Sequence, residues 1–293
     1  MVPDAKGLGR RLASGGVETV LRPVPDEPAL LVQAPNASGR PTLLVADLHL
    51  GLGGDFARPG GPPEGSAELL ADRLVRLGTA HRTGSVLIAG DVKHPIVGTP
   101  PPLRPVLFAF FARLLQEGWT VEVVLGNHDV GLVRHLPREV VVHSSRGVVR
   151  DGVGVFHGHC WPSNAVLRAP RLVTGHLHPG FRLAPTTDDP LGKRPCWVRV
   201  EVEPARSRPR RRRHHIEPRA REIVVLPPFN PLAGVEALNR QRPARGRSFL
   251  FGRFLSRGPA RAYLLDGTDL GPIPTGATRA GRSRAAGPRP RGP

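Results

Sequence analysis

Short apolar runs recur along the chain, separated by Gly, Pro and charged residues. They are "ALLVQA" (29–34), "TLLVAD" (42–47), "SVLIAGD" (85–91), "VEVVLGN" (121–127), "VGVFHG" (153–158), "RLVTGH" (171–176), "CWVRVEV" (196–202) and "EIVVLP" (222–227). Short runs rich in Val, Ile and Leu with turn residues at their ends read as buried strands. Two longer segments predict helices. In 62–82, Leu69, Leu70, Leu74 and Leu77 fall at helical spacing, with Pro63 near the start. Segment 103–118 is apolar around most of its surface and stops at Gly118, the expected C-terminal cap. The order strand–helix–strand–helix–strand, then strands with little helix, predicts an α/β core with a mixed sheet. Residues 262–271 read as a final hairpin. The expected organisation is one domain over 1–271, with 204–222 an Arg-rich insertion or loop, followed by a disordered basic tail over 272–293.

Composition adds bounds. The 293 residues are 39% hydrophobic, enough for a real core, while 35 Gly and 34 Pro predict much loop. Cys160 and Cys196 form no disulfide framework and read as small buried hydrophobes, with a reduced compartment as the default. No run approaches the ~18 apolar residues of a membrane span, and "MVPDAKGLGRRLASGG" has no signal-type apolar stretch, so the expectation is cytoplasmic. The net charge of +18 looks at first like a nucleic-acid footprint. It divides, however, into +6 over 204–222, +7 over 239–261 and +5 over 272–293, leaving the rest of the chain neutral. Three late basic segments read as solvated chain, with contact to a polyanion as the alternative.

The strand ends change the picture more. "TLLVADLHLG" delivers Asp47 and His49, "SVLIAGDVKH" Asp91, and "VEVVLGNHD" Asn127, His128 and Asp129. "VGVFHGH" delivers His157 and His159, and "RLVTGHLH" His176 and His178. "GNHD" alone could be a plain polar turn. Five strands with metal-competent side chains at the same end form a site, because α/β sheets bind ligands at the carboxyl ends of their strands. In Asp47-x-His49 and His176-x-His178, residues two apart on an extended strand are expected to share a face. Carboxylate, amide and imidazole without thiolate suit Mn²⁺, Fe or Zn²⁺ rather than a structural Cys-type zinc site. Seven candidate ligands exceed one tetrahedral ion and suit two ions sharing a carboxylate, for which Asp91 is the natural bridge. Two divalent cations offset by Asp47, Asp91 and a bridging hydroxide leave a positive centre fit for a phosphate.

The series "ADLHLG", "GDVKH", "GNHD", "HGH", "GHLHP" and "PPFNPLAG" resembles the calcineurin-like metallophosphoesterases, and within them the SbcD-related phosphoesterases, over roughly residues 28–232. The resemblance implies a four-layer α/β/β/α sandwich around two mixed sheets. It implies that Asp47, His49, Asp91 and His178 hold one metal, and Asp91, Asn127, His157 and His176 the other. His128 would stabilise the transition state or protonate the leaving oxygen, and Asp129 would orient it. His94 either joins the site or caps its loop. His159 is a donor to a ligand or, as expected, a surface residue. Asn230 supports the site or turns the chain before Pro231, and Val235 stands where a second Gly is expected. The implied function is hydrolysis of phosphoesters, foremost phosphodiesters, by a dinuclear centre with Mn²⁺ as first choice. A nuclease of DNA repair is the narrower version. The alternative is a nucleic-acid-binding or scaffold protein on the same fold, although the stacking pattern of a strand-binding platform is absent outside "SFLFGRFL" (248–255).

Overall fold

The computed structural model describes residues 19–34, 39–52, 66–183, 192–202, 219–239 and 258–273. A first sheet runs β1 (Val20–Pro23), β2 (Leu30–Gln33), β3 (Thr42–Val45), β4 (Ser85–Ala89), β5 (Thr120–Val124) and β6 (Val141–His143), neighbours in space as in sequence. β1, β2 and β3 pair antiparallel, and β3 to β6 pair parallel. The parallel steps need crossovers, and α1 (Ala67–Ala80) and α2 (Leu103–Leu115) supply those from β3 to β4 and from β4 to β5. α1 starts where the Ser66 side chain accepts the Leu69 amide, and it buries Ala67, Leu70, Ala71 and Leu74 on one face. α2 buries Leu103, Leu107, Phe110, Phe111 and Leu114. Gly118, with φ 71°, takes the left-handed turn that follows it.

The second sheet contains β7 (Val148–Arg150), β8 (Val153–Phe156), β9 (Arg171–Thr174), β10 (Pro179–Arg182), β11 (Lys193–Glu201), β12 (Glu222–Val225) and β13 (Glu236–Ala237). Their spatial order is β13-β10-β11-β12-β9-β8-β7, and the hairpin β14 (Ala260–Leu264) and β15 (Asp269–Pro272) joins through β11. β8, β9 and β12 pair parallel, while β11 is antiparallel to β10, β12 and β14.

Alternation along the strands builds three cores. Leu43, Val45, Val86, Ile88, Val121 and Val123 face the helices. Leu44, Leu87 and Val124 face Val155, Val173, Trp197 and Val224 of the second sheet. Leu172, Val198, Ile223 and Val225 face outward under α3 (Asn164–Arg168), whose Val166 and Leu167 cover them. Three apolar interfaces between four layers give the α/β/β/α order, with two mixed sheets. The fourth layer is thin: among the described residues it is five-residue α3 with loop residues such as Leu177, Ala220, Leu238 and Ile273.

Two boundaries move. Pro272 pairs with Arg261, and Ile273 is buried with its amide on the Ala260 carbonyl, so the expected tail boundary falls inside the hairpin. Residues 219–222 belong to the fold, since Arg219 and Arg221 donate to the Leu167 and Pro170 carbonyls. Residues 203–218, 240–257 and 274–293, which carry most of the basic runs and "SFLFGRFL", lie outside the described residues. Cys196 is buried as expected, its thiol pushed up to about 12 by burial. Cys160 is only half-buried and donates to the Ser145 carbonyl. Among the described residues no helix is long and apolar enough to cross a membrane.

Candidate metal centre

The loops after β3, β4, β5, β8 and β9 bring Asp47, His49, Asp91, Asn127, His157, His176 and His178 to one place between the sheets. The reason they converge differs from the extended-strand expectation. β3 ends at Val45 and β9 at Thr174, so both paired motifs lie beyond the strands. Asp47, His49, Asp91, His176 and His178 all have left-handed backbones, with φ of 58°, 43°, 52°, 71° and 43°. Such conformations cost about 1–3 kcal/mol each for residues with a Cβ and persist only where surroundings over-determine them. Here the loops hold one another. Asp47 N donates to Gly90 O at 3.0 Å, His49 N to Asp91 O at 2.9 Å and Leu50 N to Val92 O at 2.7 Å. Gly126 lies so close to Asp91 that a Cβ there would strike its carboxylate.

Two candidate ligand groups result. Asp47, His49 and His178 present atoms within 4.8 Å of one another, and so do Asp91, His157 and His176. His49 Nε2 and His178 Nε2 are 3.1 Å apart. His157 Nε2 lies 3.2 Å from Asn127 Oδ1 and 3.2 Å from Asp91 Oδ2. The same Asp91 oxygen is 3.8 Å from His49 Nε2, so it stands between the groups. His157 Nδ1 donates to Ala89 O at 2.8 Å and His178 Nδ1 to Ala233 O at 3.3 Å, leaving each Nε2 to face the centre. Oxygen and imidazole donors, fixed tautomers and a shared carboxylate fit two divalent cations.

The charges agree. Burial disfavours a charged His157, but Asp91 and Asp47 hold it up to about 9. Burial likewise opposes the Asp91 carboxylate, yet His157 and the His128 amide hold its carboxyl well below the usual range. Burial pushes His49 and His176 down to about 4, which leaves their lone pairs available. Burial opposes charge on His178 too, and Asp47 overcomes it. The proton held on His157 thus does part of the neutralising that cations would do when bound.

His128 stands beside the ligands: its Nε2 is 3.8 Å from Asp91 Oδ2 and its ring centroid 4.8 Å from that of His49. Asp129 is the residue expected to orient His128, and the ring itself takes another partner. His128 Nδ1 pairs with the His94 carbonyl oxygen. The Asp129 carboxylate instead accepts the amides of Gly126, Val92 and Lys93 at 2.8, 2.9 and 3.3 Å. Its hold on His128 runs through the backbone. Burial pushes its carboxyl up to about 6, against those amides.

His94 joins the centre: its ring stacks on His128, and His49, His94 and His128 form a third imidazole group. His159, expected at the surface, lies beside the second ligand group, with ring centroids 5.3 Å from His157 and 6.2 Å from His176. Asn230 serves both readings. It is fully buried, its Nδ2 donates to Leu48 O at 2.8 Å, and its Oδ1 accepts the Leu232 amide at 2.9 Å. Lys93 carries no metal-binding signature in the sequence. The only signal there is a lysine set between apolar Val92 and His94 in "GDVKH".

No family model matches the chain, and no curated protein matches it. Solved structures are similar to it, among them the following two. Pseudomonas putida nuclease MPE shares 20% identity over 86% of this chain and 100% of its own, with a TM-score of 0.49. Yfce, a phosphoesterase from E. coli, shares 16% over 79% of this chain and 97% of its own, with a TM-score of 0.32. The chemistry of the centre therefore rests on this chain's own side chains.

Proposed function

We propose that this chain is a dinuclear metal-dependent phosphoesterase acting on phosphodiesters. One observation carries the reading: Asp91 Oδ2 lies between two ligand groups, 3.2 Å from His157 Nε2 and 3.8 Å from His49 Nε2. One cation would be held by Asp47, His49, Asp91 and His178, and the other by Asp91, Asn127, His157 and His176. When bound, the pair supplies Lewis-acid activation of a water and neutralisation of the phosphoryl charge, with Mn²⁺ the first choice over Fe or Zn²⁺. The chain's own groups do the rest. His128 presents Nε2 towards the leaving oxygen and delivers a proton or a hydrogen bond as charge develops there. The ring keeps this direction because its Nδ1 is paired with the His94 carbonyl. A non-catalytic scaffold would be free to lose ligands, and here all seven are present and gathered.

The test is hydrolysis of bis(p-nitrophenyl) phosphate with added Mn²⁺, alongside single- and double-stranded DNA, with metal content measured on the same sample. Turnover that needs metal and reaches two ions per chain supports the reading. A folded protein that saturates at one ion, or binds two and hydrolyses none of the three substrates with Mn²⁺, Fe²⁺ or Zn²⁺, refutes it. The DNA arms divide a nuclease from an enzyme of small diesters.

A further inference from the structure

We propose that Lys93 is a positioning residue for His128, acting with Asp129 as a reciprocal ionic clamp between the loops that follow β4 and β5. The inference rests on the phosphoesterase reading for its kinetic consequence, and on geometry for the clamp itself.

Lys93 is 0% exposed. Lysine is almost never fully buried unless paired, and an ammonium has three protons to place and no acceptor. Here the three are matched by three backbone oxygens: Nζ donates to the carbonyls of Pro95 and His128, and to Ile96 O at 3.4 Å. Two of these belong to the loop that carries Lys93, and the third belongs to the loop after β5. Asp129, from that second loop, does the converse. Its Oδ1 accepts the amides of Val92 and Lys93 across the gap, and its Oδ2 accepts Gly126 N within its own loop. Each loop thus sends one buried charge to grip the backbone of the other, the cation on carbonyls and the anion on amides.

The consequence falls on His128. Its amide donates to Asp91 Oδ1 at 2.9 Å, its carbonyl is held by Lys93, and its Nδ1 rests on the carbonyl of His94, the residue between Lys93 and Pro95. The backbone is fixed on both sides of Cα, and the ring is fixed by a carbonyl whose own position the clamp sets. Only Nε2 remains, facing the centre. Without the ammonium the His128 carbonyl loses its partner, and the turn that aims the ring relaxes. Near-attack geometry is sensitive to displacements of about 1 Å, so the loss appears in the chemical step.

A merely structural lysine would lower every rate alike, and a double-mutant cycle separates the two cases. Lys93→Met, His128→Ala and the double variant are assayed with Mn²⁺ on a dinucleoside monophosphate, whose alkoxide leaving group needs a proton. Lys93→Met is expected to lower kcat on the order of 10²-fold with KM changed by less than about threefold. In the His128→Ala background the same change is expected to lower kcat by less than about threefold. An equal fold loss in both backgrounds overturns the positioning role. If Lys93→Met does not fold, Lys93→Arg, which keeps the charge but not the three-carbonyl fit, replaces it with the same two outcomes. A wild type that hydrolyses no phosphoester defeats the phosphoesterase reading and leaves the clamp to amide exchange. Protection at Val92, Lys93 and Gly126 that falls in the lysine variant then supports the clamp, and unchanged protection overturns it.

Discussion

The two sheets contribute to the centre in different ways. The first-sheet half, with Asp47, His49, Asp91, Asn127 and His128, is tied many times over. A ladder of backbone bonds joins the loops after β3 and β4, Asp129 and Lys93 join those after β4 and β5, and Asn230 holds Leu48 from across the chain. The second-sheet half is tied within its own sheet, where Gly175 N and Thr174 Oγ1 donate to His157 O and Glu236 N donates to His178 O, and two further bonds reach back to the first. His157 leans on Ala89 O, and the His176 amide donates to the Asp47 carboxylate at 3.1 Å. The His178 ring rests on the Ala233 carbonyl. The first half is tied loop to loop and by Asn230 from beyond β12, and the second adds to its own bonds a lean on Ala89 and Asp47 of the first. Damage to the first half should therefore spread, and damage to the second should stay local.

Asp91→Asn has the largest expected effect, because Asp91, though carried by the first-sheet half, reaches His49 of that half and His157 of the other. A neutral amide bridges two cations poorly, and Mn²⁺-dependent hydrolysis should fall by on the order of 10³-fold or more. An Asn variant with two bound ions and an unchanged rate would remove the shared bridge.

His128→Ala should lower kcat by on the order of 10²–10⁴ while both ions stay bound. The loss should shrink for nitrophenyl esters, which leave without a proton. Rate and metal content are to be measured together, since loss of an ion would make His128 a ligand rather than a proton donor.

Asn230→Ala tests whether first-half damage spreads. It leaves the Leu48 carbonyl unpaired in the interior, and should weaken Mn²⁺ binding by about 10–100-fold and lower Tm by several degrees. Calorimetric titration that shows only one ion weakened would confine the support to the Asp47–His49 loop.

The pH dependence is the mildest test. His157 is held up to about 9 against an ordinary 6.5. Its raised value means that the metal-free protein keeps this proton where the unfolded chain has released it. The stability gained is complete below 6.5 and is lost as pH rises through about 9. A cation must displace the same proton, so Mn²⁺ affinity should rise by up to about tenfold per pH unit over that interval. A metal-free Tm that is flat between these values, with affinity equally flat, would show that His157 is neutral without metal.

Much of the design was legible in the order of residues. Val, Ile and Leu runs mark strands because burial on both faces leaves no polar position, and the parallel order follows from helices set between them. The metal-competent residues could be named because strand ends are local features, read from where an apolar run stops. The reason for their convergence was not legible. Asp47-x-His49 meets at the centre through left-handed turns held by the neighbouring loop, not through the two-residue period of a strand. The hydrogen-bond partner of the His128 ring, the approach of His159 to the second ligand group, and the burial of Lys93 depend on contacts between distant segments. Lys93 reaches His128 across 35 residues, and Asn230 reaches Leu48 across 182. Period and composition act over one or two turns of chain. The fate of a buried charge is set by the carbonyls and amides that surround it, and only the packing of the two sheets and their loops brings those groups together.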